Sequence, residues 1–365
     1  MILLDPKRFG NIVCTLKTFW KKLMVKLKDI AKKSGFSITT VSRALAGYDD
    51  VNVETRDHIR EIAYGMGYQP NSIARQLRSQ KTDTIGLIIP AGGESFSDNF
   101  FSELLMGAGQ AAAERGYDLL VGAQTSDDPV DAYRRIVGGN RVDGVLLART
   151  VRNDPRIAYL KSLKAPFVVA GRTAPDETSD FPYIDVDSQI GIRWAINHLT
   201  GLGHRQIAFL MPPENIAFTA YRLAGYQEGL ADAGIAFRPE LALYGDLRRE
   251  GGRKLAHQLL DEFPEITAIA SSNDLMALGA MLAIQERGLV VGQDIAVTGF
   301  DGIAAAEYSQ PGLTTLRQPT RETGQHLVEM LISIIRNNPL PDLQTLLSPV
   351  LQVRESCGAK YHERG

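Results

Sequence analysis

The fold class that this 365-residue sequence predicts is an all-α helix-turn-helix head and a hinge helix joined to an α/β body of two lobes. Three observations predict it. Residues 27–47 read as two short helices around a glycine turn. From Thr84 onward, short apolar strands alternate with helical stretches. That alternation then runs a second time at similar length, as two parallel-sheet lobes require.

The first helix, about Lys28 to Ser34, turns Ile30 and Ala31 inward. Gly35 supplies the turn, since a residue without Cβ takes positive φ at no steric cost. Ser37 is placed to cap the second helix. That helix, Ile38 to Leu45, carries Val41, Ala44 and Leu45 at the spacing of a buried stripe, leaving Ile38, Thr39, Ser42 and Arg43 outward. Small polar residues and one arginine on the outer face are what a helix laid in the DNA major groove presents. Asn52 caps a third helix, about Val53 to Met66, with Ile59, Ile62, Ala63 and Met66 inward. Pro70 stops it from running on. Asn71 or Ser72 can cap a short hinge helix, Ile73 to Arg78, which carries Arg75 and Arg78 and has no apolar face wide enough to fold alone.

In the body, Ile85–Pro90, Tyr117–Ala123, Gly144–Ala148, Phe167–Ala170 and Tyr183–Val186 read as buried strands, with Phe101–Arg115 and Val130–Gly138 helical between them. Ile207–Met211, Ile266–Ser271 and Ile295–Phe300 continue the pattern. Gly107, Gly109 and Ala112 fit a G-x-G-x-x-A nucleotide fingerprint, but that motif needs a strand just before it. Here the glycines fall inside a helix, and close helix–sheet packing accounts for them. His198 and His204 flank L-T-G-L-G, a helix end with Gly at C′, and read as structural.

These segments resemble the lactose-repressor (LacI/GalR) family of bacterial transcription regulators over Lys26 to about Glu355. The motifs are D-I-A…T-V-S-R-A-L, Y-Q-P-N…A-R-x-L, G-L-I-I-P, L-G-H-R-Q-I-A-F-L, S-N-D-L-M-A-L-G, and G-F-D-G followed by L-T-T-L-R-Q-P. The resemblance implies a periplasmic-binding-protein-like (type I) effector domain, with three crossings between lobes placed near 184–187, 310–316 and 338–342. The expected organisation is an extension at 1–23, a helix-turn-helix domain at 24–68, a hinge at 69–83, and an effector and dimerisation domain at 84–365. Lobe 1 is then about 84–184 and 313–338, and lobe 2 about 187–310 and 341–358.

The resemblance also assigns roles. Ile38, Thr39 and Arg43 face base edges, Arg43 as the bidentate donor to guanine. Ile38 meets a thymine methyl, and Thr39 does so or hydrogen-bonds. Ser37, Thr40, Ser42, Tyr68 and Asn71 hold phosphates, although capping and helix solubility are a realistic alternative for Ser37 and Ser42 individually. Leu77, with Ala74 beside it, corresponds to a minor-groove wedge that acts with its twofold mate, which demands a homodimer and a near-palindromic operator. Arg172, Arg222, Asn273 and Asp301 are placed in a cleft at strand C-termini or the loops after them, where two Arg, an Asn and an Asp can grip the vicinal hydroxyls of a sugar, and Phe100 can offer an apolar face to its ring. Leu247 stands where relatives often carry a stacking aromatic. Asp274 reads as a helix N-cap rather than a ligand.

Charge distribution agrees. Residues 1–80 carry 14 Lys and Arg against 7 Asp and Glu, whereas the remainder carries 26 against 35, so a basic head sits on an acidic body despite a net charge of only −2. Cys14 and Cys357 give neither metal-ligand spacing nor a disulfide framework, as expected in a reducing cytoplasm. No apolar run reaches membrane-span length, so a membrane partner is not expected. Residues 1–23 hold a lysine-flanked apolar patch without a signal-peptide cleavage site. Translation is expected to start at Met24; the competing reading is a basic extension that adds DNA contacts. The C-terminal stretch is not heptad-patterned and is too short for a coiled coil.

The functional expectation is a cytoplasmic, homodimeric repressor of carbohydrate-utilisation genes, without catalytic activity, cofactor or metal, that binds double-stranded DNA under control of a sugar effector. A nucleotide-dependent oxidoreductase leaves residues 26–82 unexplained. A sugar-transport binding protein needs a signal peptide and no DNA head.

Overall fold

The computed structural model of the chain describes residues 25–68, 81–90 and 99–359. It divides into two compact units, one up to Lys81 and one from Thr82 onward.

In the first unit, helices α1 (Leu27–Ser34), α2 (Ile38–Leu45) and α3 (Val53–Gly65) close a small core of Ile30, Val41, Ala44, Val51, Ile59 and Ala63. Gly35 ends α1 at φ +76° and returns its N–H to the Ala31 carbonyl. Ser37 caps α2 by accepting from Thr40 N–H, and Asn52 caps α3 by accepting from Thr55 N–H. Each satisfies an otherwise orphaned helix donor. Leu45, Ile62 and Met66, expected inward, line the edge of this core.

The second unit contains two six-stranded sheets. The first has the order β11-β5-β4-β3-β1-β2 and the second β12-β10-β9-β8-β6-β7. Sheet one comprises β1 (Thr84–Pro90), β2 (Asp118–Gln124), β3 (Gly144–Ala148), β4 (Phe167–Ala170), β5 (Tyr183–Val186) and β11 (Gln344–Leu347). Sheet two comprises β6 (Ile207–Met211), β7 (Ala242–Tyr244), β8 (Ala268–Ser271), β9 (Ala296–Asp301), β10 (Thr314–Arg317) and β12 (Val350–Gln352). All pairings are parallel except β10 with β12. Helices cover both faces of each sheet, so β3, β4 and β6 are buried along their whole length and read as unbroken apolar runs. Those that position the site are α4 (Asn99–Glu114), α7 (Ser188–Gly201), α8 (Phe218–Asp232), α10 (Asp274–Glu286) and α12 (Thr320–Ile335).

Two of the three expected crossings move. The first falls as expected, between β5 and α7. The second lies at 317–320, not 310–316, because Thr314–Arg317 pairs with Thr298–Asp301 and so belongs to sheet two. The third lies at 347–350, not 338–342, because Gln344–Leu347 pairs with Tyr183–Val186 in sheet one. Lobe 1 is therefore 82–186 with 320–347, and lobe 2 is 188–317 with 350–358.

The fingerprint-like glycines do lie inside a helix, α4: Gly109 faces the sheet, where an added Cβ would meet the Leu119 side chain of β2 at 3.9 Å, whereas Gly107 faces a second helix. A Cβ on Gly107 would sit 1.9 Å from the Arg321 carbonyl oxygen of α12, and one on Gly324 would sit 2.4 Å from the Leu104 oxygen. The missing side chains let the two backbones touch.

Candidate functional site

The outer face of α2 is as the sequence predicts. Ile38 is 53% exposed. Thr39 and Arg43 are exposed beside it, and Ser42 is partly covered. Ser37 Oγ accepts from the Thr40 N–H at 3.0 Å, so Ser37 caps the helix, and the two hydroxyls also bond each other at 2.9 Å. Arg43 is not a free arm: it forms an ion pair with Asp50, and its guanidinium lies 5.1 Å over the Tyr48 ring. Tyr68 packs against the core of the head, and burial raises its phenol. Asn71, Ala74 and Leu77 lie outside the described residues.

In the second unit a cavity of about 840 Å³, open mouth included, lies where the C-terminal edges of the two sheets meet. Phe100, Arg172, Arg222, Asn273 and Asp301 all line it, as does Leu247. The lobes are bonded to each other around it. Val151 of lobe 1 bridges Ile216 of lobe 2, Ala217 N–H donates to the Thr150 carbonyl, and the Tyr221 hydroxyl donates to the Thr173 carbonyl at 3.0 Å.

Each polar group in the cavity is fixed by a neighbour. Arg172, just past the end of β4, donates through Nε to Asp185 at 2.8 Å and lies 4.1 Å over the Tyr221 ring. Burial pushes the Asp185 carboxyl above the usual carboxylate range, and Arg172 opposes that. Arg222, in the second turn of α8, is buried between the Phe218 and Phe300 rings at 4.2 and 4.1 Å. One Nη donates to the Ser272 carbonyl, while its buried Nε has no partner among the described residues. Burial pulls its pKa down to about 10, against the attraction of Asp301 and Asp185. Asp301 accepts from Gln318 Nε2 at 2.7 Å and has φ +132°, a conformation that costs a non-glycine residue of order 1–3 kcal/mol.

The reading of Asp274 as the cap is corrected. Asn273 is the N-cap of α10: its Oδ1 accepts from Met276 N–H, and its Nδ2 donates to the Leu247 carbonyl. One amide N–H and one lone pair remain for a ligand. Asp274 is fully buried and accepts from the N–H groups of Gly302 and Ile303, both at 2.8 Å, and from the Thr315 hydroxyl. It therefore anchors the turn that carries Asp301. Burial pushes its carboxyl up to about 6.

Sequence reasoning missed Asp185, Phe218, Tyr221 and Gln318. Phe218, Tyr221 and Arg222 sit at i, i+3, i+4 on α8, so helical spacing alone would have placed them on one face. Asp185 and Gln318 carry no such local signal. The Phe218 and Tyr221 rings both line the cavity beside Leu247, each with an arginine stacked on it. His198 and His204 hold structural positions. His198 Nε2 is 3.2 Å from the Cys357 sulfur, with burial favouring its neutral form, and His204 Nδ1 is 3.0 Å from Thr267 Oγ1. Among the described residues there is no group of side chains that could hold a metal ion, and no helix is long and apolar enough to cross a membrane.

Two family profiles match the chain: bacterial regulatory proteins of the lacI family over residues 26–71, and periplasmic binding proteins and sugar binding domain of the LacI family over residues 82–351. The HTH-type transcriptional regulator CelR of Thermobifida fusca is 32% identical, covering 90% of this chain and 97% of its own length. AglR of Rhizobium meliloti is 35% identical, covering 92% and 94%. Among solved structures, a CelR–cellobiose complex superposes with a TM-score of 0.72 at 31% identity, covering 91% of this chain and 99% of that one. A lac repressor dimer bound to operator and an anti-inducer superposes at 0.80 and 29% identity, covering 92% and 100%.

Proposed function

The chain belongs to the LacI family of bacterial regulatory proteins, and on that footing we propose that it is a homodimeric repressor of carbohydrate-utilisation genes whose operator affinity is set by a sugar in the interlobe cleft. The observation that carries the effector reading is the cleft itself. Three arginines set against aromatic rings, two side-chain amides and two carboxylates border a cavity that Phe100, Phe218 and Tyr221 also line, which suits a ligand with polar edges and an apolar ring face. A relative solved with cellobiose and another solved as an operator-bound dimer support the two partners.

In this reading the α2 face meets base edges through Ile38, Thr39 and Arg43, with Ser37, Thr40, Ser42, Tyr68 and Asn71 on phosphates and Ala74 and Leu77 in the minor groove. The sugar bridges lobes that already share the Val151–Ile216 and Tyr221–Thr173 contacts, so it biases their relative orientation. Operator and sugar then report on one two-state body, and each must change the other's affinity by the same factor. The site in the cleft binds and does not catalyse. The cytoplasm is the compartment where such a protein meets DNA. The oxidoreductase alternative loses its only motif, since Gly107 faces α12 rather than a phosphate loop.

The test uses the full chain. Duplexes are selected from a randomised pool, and the selected site is titrated by gel shift with and without a panel of mono- and disaccharides. A near-palindromic site whose affinity changes with one sugar is the expected result. Binding that is indifferent to base sequence, or that no sugar in the panel alters, overturns the reading.

A further inference from the structure

We infer that Asp50 and Tyr48 are specificity-determining residues that hold the Arg43 guanidinium in a fixed plane for base reading; the inference rests on the reading of Arg43 as a base contact.

Both residues sit in the turn between α2 and α3, and that turn is rigidly built. Gly47 takes φ +79°, and Tyr48 N–H returns to the Arg43 carbonyl at 3.1 Å. One Arg56 nitrogen donates to both the Tyr48 and Val51 carbonyls, at 2.9 and 3.0 Å. Val51 is itself part of the head's core. The Tyr48 ring and the Asp50 carboxylate are thus placed by the fold before DNA arrives. The ring covers one face of the Arg43 guanidinium, and the carboxylate takes one Nη at its edge.

Stability does not explain this arrangement. The two side chains of the ion pair are 46% and 50% exposed, and exposed pairs contribute little to folding. Binding does explain it. Of the five N–H groups of an arginine, the pair occupies only one edge, leaving donors for guanine O6 and N7. An unsupported arginine must lose its rotamer freedom on binding, and this one has lost much of it already. A carboxylate on the face that meets DNA also repels phosphate on every sequence, so it lowers background binding without lowering readout at the correct base.

The experiment compares wild type, Asp50→Asn, Tyr48→Ala, Arg43→Ala and the Asp50→Asn/Arg43→Ala double variant. All are full-length chains, titrated on four duplexes that differ only at the base pair Arg43 reads in the selected site, and on a random duplex. Asp50→Asn keeps the side-chain volume, and circular dichroism melting confirms folding. Wild type should prefer one base pair by about tenfold or more, the range of a bidentate contact. Asp50→Asn should cut that preference several-fold and raise affinity for random DNA, and Tyr48→Ala should cut the preference too. In the Arg43→Ala background, Asp50→Asn should change the preference no further. If Arg43→Ala weakens all duplexes alike, the base-contact reading fails and this inference with it. If Arg43→Ala erases the preference while Asp50→Asn preserves it, this inference alone fails.

Discussion

Replacing Arg222 with methionine separates binding from folding at the centre of the cleft. The guanidinium is buried between Phe218 and Phe300, so truncation to alanine would remove packing as well as charge. Methionine keeps a stem of similar length between the rings and makes favourable sulfur–aromatic contacts. The change leaves the buried Ser272 carbonyl without its donor, at a cost of about 1–3 kcal/mol. It also removes a charge that burial already disfavours, which offsets that cost. Folding stability should therefore stay within about 1 kcal/mol of wild type. The ligand, by contrast, loses a charged hydrogen-bond donor worth about 1.5–3 kcal/mol, or a roughly 10- to 150-fold rise in Kd. Because the effector acts only through its differential affinity for two states, its half-effective concentration in an operator gel shift should rise by a similar factor. Operator affinity without sugar should be unchanged. Calorimetric titration of the sugar and a thermal melt read the two effects separately. An unchanged Kd with a lowered Tm would make Arg222 a packing residue and remove it from the site.

Three further outcomes follow from particular contacts. Asp274→Asn can keep the turn if the Thr315 hydroxyl reverses to accept; since the wild-type carboxyl is raised to about 6 in the fold and lies near 3.9 unfolded, wild-type stability should fall relative to the variant as pH rises through about 4 to 6, and parallel profiles in urea melts across that window would refute the buried charge. Gly107→Ala should destabilise the body by about 1–3 kcal/mol because its Cβ meets the Arg321 carbonyl, even though alanine is favoured over glycine in a helix by about 1 kcal/mol; a more stable variant by denaturant titration would refute the close α4–α12 approach. Arg43→Ala should leave the melting of the chain nearly unchanged and weaken the selected site by about 1–3 kcal/mol relative to random DNA, and equal losses on both, read by gel shift, would reduce it to a phosphate contact.

Local pattern decided much of this protein. A 3.6-residue stripe, a glycine at φ +76° and Ser and Asn caps are properties of consecutive residues, so α1, α2 and α3 were legible with their boundaries nearly in place. The same holds for β3, β4 and β6, whose burial on both faces writes an unbroken apolar run. Strand C-termini mark ligand sites in parallel sheets, and Arg172, Arg222, Asn273 and Asp301, named on that ground, line one cavity together with Phe100. Tertiary structure alone decided which sheet a four-residue strand joins. Thr314–Arg317 and Gln344–Leu347 are too short and too similar in pattern for periodicity to choose, and the hydrogen-bond register against β9 and β5 chose instead. It also decided partnership: Asp185 with Arg172, Asn273 rather than Asp274 as the cap, and Asp50 with Arg43. A side chain's chemistry is written in its own residue. The group that desolvates, neutralises or orients it is brought there by chain closure, and the distance between the two along the sequence holds no record of that.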